Sequence, residues 1–295
     1  MTERPEAERT IPGLTPCVRR RLRALFRLLG AVSPPLAARL AVRLFTTPRA
    51  RTLSPQESQF LQQAQSRRLA HAGGDIQVYE WAGAGPTVLI LHGWISHAAR
   101  LRETIEALSA RGLQVLAFDA PAHGRSSGRR LDLHVYRDAV AAVSTERGPV
   151  AAVVAHSFGA LTALHWLAEN REPSLRAAVL VGVPRDVGYL FDSFTTVLGL
   201  SPQLIEQARA LFRKRYGGDP ESYCAKQLAA RIELPVLLVH GGADELVPSA
   251  HSTEVAQTLA GSRVLVVPAM SHGGPLRDPD TVGLMADFIA EHLRD

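Results

Sequence analysis

Residues 150–161, VAAVVAHSFGAL, decide how this chain is read. The stretch opens as an apolar run and stops at His156-Ser157-Phe158-Gly159. It then resumes through Ala160, Leu161, Ala163 and Leu164. Such a sequence reads as strand, sharp turn, helix. The usual pattern for a serine presented on that turn is Gly-x-Ser-x-Gly. Here Ala155 takes the first place, a change that uses little room. In one reading the turn holds the Ser157 hydroxyl clear of its own backbone, as a nucleophile at a helix N-terminus. In the other, Ser157 is an ordinary helix N-cap. The stretch alone leaves both open.

Working outward, the same rhythm recurs. Apolar strands are expected over 87–91, 113–118, 177–181, 235–240 and 263–267. Helices are expected over 97–110, 135–147, 158–169 and 282–293, the first two ended by Gly112 and Gly148. Residues 76–81, IQVYEW, alternate and predict an antiparallel edge strand, preceded by a Gln-rich helix over 54–69. Apolar strands alternating with helices define an α/β fold, a mainly parallel sheet covered on both faces. Over 184–230 the rhythm breaks into a helix-like stretch with Tyr189, Leu190, Phe191, Phe194, Leu198, Leu204, Leu211, Phe212 and Tyr216. This predicts a small helical cap over the C-terminal edge of the sheet, where open α/β folds place their sites.

The chain of 295 residues is 46% hydrophobic and 21% charged, enough for a large core. Cys17 and Cys224 make neither a disulfide framework nor a metal cluster. No apolar run is long enough to predict a transmembrane helix. The net charge of +5 is unevenly placed: residues 1–51 hold 11 arginines against 3 glutamates, so the remainder is slightly acidic. A nucleic-acid partner is not expected, because no basic stripe runs through the body.

Residues 1–16 are polar and are expected to be mobile. In 17–29, CVRRRLRALFRLL, the apolar positions Val18, Leu22, Leu25, Phe26 and Leu29 predict one helical face. Arg19, Arg20, Arg23 and Arg27 fall mostly on the other. A second basic amphipathic piece covers 36–45. The preferred reading is a helical hairpin packed on the catalytic domain or supporting its cap. The alternative is peripheral contact of 17–45 with an anionic membrane surface. Arginines interrupt the apolar face and no clean cleavage site follows, so no secretory signal is expected and the predicted location is cytoplasmic. The expected organisation is a basic helical extension over 1–69 and a catalytic domain over 70–295.

Three further positions gain meaning from the sheet. His92-Gly93-Trp94 follows the strand over 87–91. Gly93 permits a tight turn, so the Trp94 N–H can point at a developing oxyanion, with the Phe158 N–H as second donor. The plainer reading is a glycine turn with an aromatic plug. The side chains of Trp94, Phe158, Tyr189, Phe191 and Phe194 are the candidates to line a substrate pocket. Asp244, in GGADELVP after the strand over 235–240, can orient a histidine. Asp186, after the strand over 177–181, is the alternative acid; Asp244 is preferred because its loop is short and strand-proximal. His272, in AMSHGGP after the last strand, is the candidate general base. The other histidines are read as local structure, and no spacing suggests a zinc site.

Ser157, Asp244 and His272 occur in the nucleophile-acid-base order of this architecture. The chain resembles the α/β-hydrolase fold family, more narrowly bacterial serine hydrolases of the lysophospholipase, esterase and serine-aminopeptidase type. The resemblance covers about residues 70–295. It rests on Leu91-His92-Gly93-Trp94, on FDAPAHGRS at 118–126, on the Ser157 turn, on the Asp244 loop and on His272. It implies a structural role for Asp119 and His123, and acyl transfer at Ser157 with no metal or organic cofactor. The implied substrate is a small ester with an apolar acyl or alcohol group. Aminopeptidase, thioesterase or acyltransferase chemistry, and a non-enzymatic binding protein of the same fold, are the alternatives. For an aminopeptidase, Asp186, Asp192, Glu206, Asp219 and Glu221 are candidates to hold the amine.

Overall fold

A computed structural model describes residues 14–49, 51–72, 74–170 and 172–294. The start expected to be mobile falls mostly on residues 1–13, outside the described residues. The chain forms two compact units. One joins the N-terminal helices, through Thr47, with Arg185–Cys224. The other joins Pro48–Pro184 with the chain from Ala225 onward.

The helical unit opens with α1 (Pro16–Val32) and α2 (Pro34–Phe45). Thr15 caps α1 through its side chain, with Pro16 in the first turn, where a missing N–H costs nothing. Prolines open α2 in the same way. The second half of the unit is α7 (Val187–Leu198) and α8 (Pro202–Tyr216), each ending on a left-handed glycine, Gly199 and Gly217. Ala37, Ala38 and Ala41 of α2 and Ala208 of α8 are fully buried. These small side chains let the helices approach closely. Phe26, Phe191, Leu198 and Leu204 fill the space they leave. Phe45 meets the Phe191 ring edge-on at 5.1 Å and Phe194 at 5.5 Å. Arg23 reaches back to the carbonyls of Thr196 and Val197 at the end of α7.

In the sheet unit, α3 (Pro55–Leu61) is fixed by a capping box between Ser54 and Glu57. The strands are β1 (Gln65–His71), β2 (Gly74–Trp81), β3 (Thr87–Leu91), β4 (Gln114–Phe118), β5 (Ala152–His156), β6 (Ala177–Val181), β7 (Val236–Gly241) and β8 (Arg263–Val267). Their order is β1-β2-β4-β3-β5-β6-β7-β8. The first two pairings, β1 with β2 and β2 with β4, are antiparallel; the rest are parallel. β3 and β6 are buried along their whole length, as strands covered on both faces must be. The covering helices are α4 (Arg102–Ser109), α5 (Leu133–Arg147), α6 (Phe158–Glu169), α9 (Ala225–Ala229), α10 (Ala250–Ala256) and α11 (Pro279–Leu293).

Three boundaries differ from those expected. Residues 65–71, read as the end of a helix, form β1. This strand, not IQVYEW, is the edge, and its arginines and glutamine suit an exposed border. The extension expected over 1–69 therefore splits, since α3 and β1 belong with the sheet. The cap expected over 184–230 is shorter: α9 belongs with the sheet as well. Among the described residues, no helix is long and apolar enough to cross a membrane.

Candidate active site

Ser157 lies between the end of β5 and the start of α6. Its backbone is held at φ 56° and ψ −122°, and its side chain makes no capping hydrogen bond. The N-cap reading therefore falls. A non-glycine residue in such a region stores about 1–3 kcal/mol, which the surrounding structure must hold in place. Part of that hold is visible. The Ser157 N–H donates to the Val181 carbonyl at 2.8 Å. A Cβ on Gly159 would lie 2.4 Å from the His92 carbonyl oxygen, so only glycine lets α6 start this close to the end of β3. A Cβ on Gly93 would lie 3.0 Å from the Ser157 Cβ. The turn after β3 and the turn after β5 thus press on each other. Phe158 is the first residue of α6, so its N–H lies in the turn where no intrahelical acceptor exists.

The loop after β8 brings in His272. Its Nε2 is 2.8 Å from Ser157 Oγ, and its Nδ1 is 2.6 Å from Asp244 Oδ2. A carboxylate only accepts, so Nδ1 carries the proton and Nε2 is free to accept from the serine hydroxyl. The Asp244 side chain, on the loop after β7, is fully buried. Its Oδ1 accepts from the N–H groups of Leu246 and Val247 at 2.8 and 2.9 Å. Its Oδ2 also lies 3.2 Å from His240 Nε2. Burial would raise this carboxyl. The hydrogen bonds from His240, His272 and the Val247 backbone outweigh burial and hold it well below the usual carboxylate range. It stays ionised wherever the protein is folded near neutral pH.

Asp186 has a different task. Its carboxylate caps α7 by accepting from the Tyr189 N–H, and burial raises its proton affinity. It is not the partner of His272. Phe191 is likewise not pocket-lining: it is fully buried in the core of the helical unit. Phe194 packs partly buried against that core, and Tyr189 is buried with Arg185 over its ring at 5.4 Å. The reason is Phe45, which gives the cap aromatics a partner that the cap sequence alone does not reveal. Trp94 and Phe158, on the turns after β3 and β5, have rings 5.7 Å apart and edge-on.

The segment 118–126 ties these turns together. Buried Asp119 accepts from the Ala98 and Arg125 N–H groups at 2.9 and 2.8 Å and from the Tyr79 hydroxyl at 3.0 Å. His123 Nε2 accepts from the Ile95 N–H at 3.1 Å, and Ile95 sits at φ 50° directly after Trp94. His92 Nε2 accepts from the Ala120 N–H at 2.9 Å. Burial pushes His92 down to about 4 and His123 down to about 3, so both are neutral and able to accept. His156 donates from Nε2 to the His272 carbonyl at 3.1 Å; burial, then the nearby His272, lower it to about 3. His240 was the residue least visible in the sequence. One histidine at a strand end carries no spacing signal, yet it touches Asp244. Among the described residues, no group of three or more His, Cys, Asp or Glu side chains is placed to hold a metal ion.

The chain belongs to the α/β-hydrolase family. It is 30% identical over 232 residues to esterase YjfP of Escherichia coli, covering 70% of this chain and 89% of that protein. It is 28% identical over 272 residues to a non-heme haloperoxidase of Rhodococcus erythropolis, covering 75% and 97%. A monoacylglycerol lipase of Mycolicibacterium smegmatis is 28% identical over 250 residues, covering 70% and 88%. The family described as serine aminopeptidase, S33, matches residues 82–207, a span holding Trp94, Ser157 and Phe158 but not Asp244 or His272. An esterase structure from Pyrococcus furiosus aligns with a TM-score of 0.64 at 18% identity, covering 84% of this chain and 98% of that one.

Proposed function

We propose that this protein hydrolyses carboxylic esters with an apolar acyl or alcohol group through an acyl-enzyme on Ser157. The observation that carries the reading is the unbroken contact chain Ser157–His272–Asp244, at 2.8 and 2.6 Å, with the serine on a strained turn. His272 Nε2 takes the hydroxyl proton as Oγ attacks the ester carbonyl carbon. The Trp94 and Phe158 N–H groups receive the oxyanion. The His272 imidazolium, steadied by Asp244, then protonates the leaving alkoxide. A water deprotonated by His272 attacks the acyl carbon, and the proton returns to Oγ as the acid departs.

An ester is favoured over a peptide with a free amine by the state of the acidic groups in the helical unit. Asp192 and Glu221 both engage Arg209, at 2.6 and 2.7 Å. Glu206 and Asp219 both engage Arg213, at 2.6 and 2.8 Å. Asp186 is spent on its cap. The test is an ester series from short to long acyl chains, run beside thioesters and aminoacyl amides. Ester turnover should exceed amide turnover, and Ser157→Ala should lower kcat by at least about 10⁴-fold. A fluorophosphonate adduct on a residue other than Ser157, or equal rates for wild type and Ser157→Ala, would overturn the reading.

We further propose that the outer arc of α1 rests on an anionic membrane surface. Leu25, Leu28 and Val32 are 43%, 67% and 76% exposed, at helical spacing, and Leu36 of α2 is 52% exposed. No acidic residue occurs between 14 and 49, and Arg20, Arg21 and Arg27 border the same arc. Sedimentation with anionic vesicles should fall in Leu25→Glu/Leu28→Glu and at high salt, while turnover of a soluble ester is kept. Equal sedimentation of wild type and variant would reject the contact.

A further inference from the structure

Asp244 Oδ2 serves two imidazoles. One is His272. The other is His240, fully buried at the end of β7. Its Nε2 lies 2.9 Å from the Val247 carbonyl oxygen and 3.2 Å from Asp244 Oδ2. Both neighbours only accept, so Nε2 carries the proton and shares it between them. On the far side of the ring, Nδ1 is 2.7 Å from the hydroxyl of Ser252, itself fully buried on α10. With the proton on Nε2, Nδ1 is the ring nitrogen to which the Ser252 hydroxyl can donate. Five side chains then form one line: Ser252, His240, Asp244, His272 and Ser157.

We infer that His240, oriented by Ser252, is a positioning residue that fixes the carboxylate oxygen on which His272 turns. The inference rests on the ester-hydrolase reading for its kinetic consequence, though not for its geometry. The physical case has two parts. First, the loop from Gly241 to Val247 is short and must hold Asp244 in one rotamer. His240 fastens both the loop backbone, through Val247, and the carboxylate itself. Second, a carboxylate has about four acceptor directions. Two are taken by backbone N–H groups on Oδ1, one by His272 and one by His240. A buried carboxylate short of one donor is poorly satisfied and free to tilt. Polar groups that orient a reacting side chain act through its placement, so a small displacement is magnified in rate.

The plain alternative is that His240 merely fills space between β7 and α10. Full-length wild type, His240→Leu, His240→Gln and Ser252→Ala separate the two. Glutamine can place an amide N–H where Nε2 stands; leucine fills the volume without a donor. In His240→Leu, kcat for a soluble ester should fall about tenfold to a hundredfold with KM changed little. His240→Gln should recover most of that loss, and Ser252→Ala should fall about threefold. Independently of turnover, the low-field proton resonance of the His272 Nδ1–H bond to Asp244 should move in His240→Leu and return in His240→Gln. A fixed resonance in all three variants, or equal losses in the leucine and glutamine variants, would overturn the inference. If His240→Leu does not fold, the same resonance and the kcat of Ser252→Ala decide it. Absence of ester turnover in wild type would instead count against the function proposed above, and the resonance would still decide the role of His240.

Discussion

Ser157 and His272 are 115 residues apart in the chain and 2.8 Å apart in space. In the helical unit, Phe45 and Phe191 are 146 residues apart in the chain and their rings meet at 5.1 Å. The two units reach such proximity by different means. In the sheet unit, parallel strands end at one edge, so each short loop after a strand delivers its polar residues to the same place. The contacts there are directional: His272 bonds Ser157 and Asp244, and Asp244 also accepts from the Leu246 and Val247 N–H groups. In the helical unit, alanines on α2 and α8 allow close helix packing, and large side chains fill what remains. Those packing contacts are non-directional, and the acidic groups of α7 and α8 lie in ion pairs such as Arg209 with Asp192 and Arg213 with Glu206. A directional site tolerates a volume change poorly at its tight turns, whereas an apolar core loses stability in proportion to the cavity made.

The largest effect expected from this contrast belongs to Phe191→Ala. A fully buried aromatic removed from a core costs about 3–5 kcal/mol. Amide exchange across α1, α2, α7 and α8 should accelerate accordingly. Unchanged protection there would mean that the helical unit is not held by this core. Gly159→Ala comes next. Its methyl would press on the backbone oxygen of His92, a neighbour with no rotamer to give. The expected cost is about 1–3 kcal/mol, together with slower fluorophosphonate labelling of Ser157. A variant that labels at the wild-type rate would show that the two turns are less tightly pressed than the 2.4 Å approach implies.

The same contrast explains which parts were legible from sequence. Ser157, Asp244 and His272 each follow an apolar run, so strand periodicity alone places them at one edge. The parallel strands were legible for the same reason. β1 was not, because QSRRLAH is polar and mostly exposed; an edge strand is specified by its neighbour, not by burial. In α1, the spacing puts Leu25 on the same apolar face as Phe26 and Arg23 mostly on the other face. The helix carries two apolar arcs, and periodicity does not say which one meets a partner. Leu25 is exposed, and Arg23 instead caps the carbonyls at the end of α7. Phe191 looked like a pocket residue for a related reason: its partner Phe45 lies outside the cap sequence. His240 is illegible because its importance depends on one proton placed on one ring nitrogen.

The smallest effect separates the units by pH. Burial lowers His92 from 6.5 to about 4. The unfolded chain takes up this proton as pH falls through about 6.5, and the folded protein does not until about 4. Stability is therefore full above pH 6.5 and is lost progressively below it. The slope is about 1.4 kcal/mol per pH unit for one such histidine, or about 2 kcal/mol at pH 5. His123 and His156, lowered to about 3 for the same first cause, act in the same direction. Asp244 does not contribute in this window. A carboxyl held below its usual range gives stability that is complete above about pH 4 and is lost only as pH falls further. The weakening between pH 6.5 and 5 thus arises in the sheet unit, where neutral imidazoles hold the turns around Ser157. Denaturant unfolding of wild type and His92→Gln at pH 7 and pH 5 measures it. The variant should lose about 2 kcal/mol less than wild type between the two conditions. An identical loss in both proteins would show that His92 takes up its proton in the fold as readily as in the unfolded chain, against its acceptor bond from the Ala120 N–H.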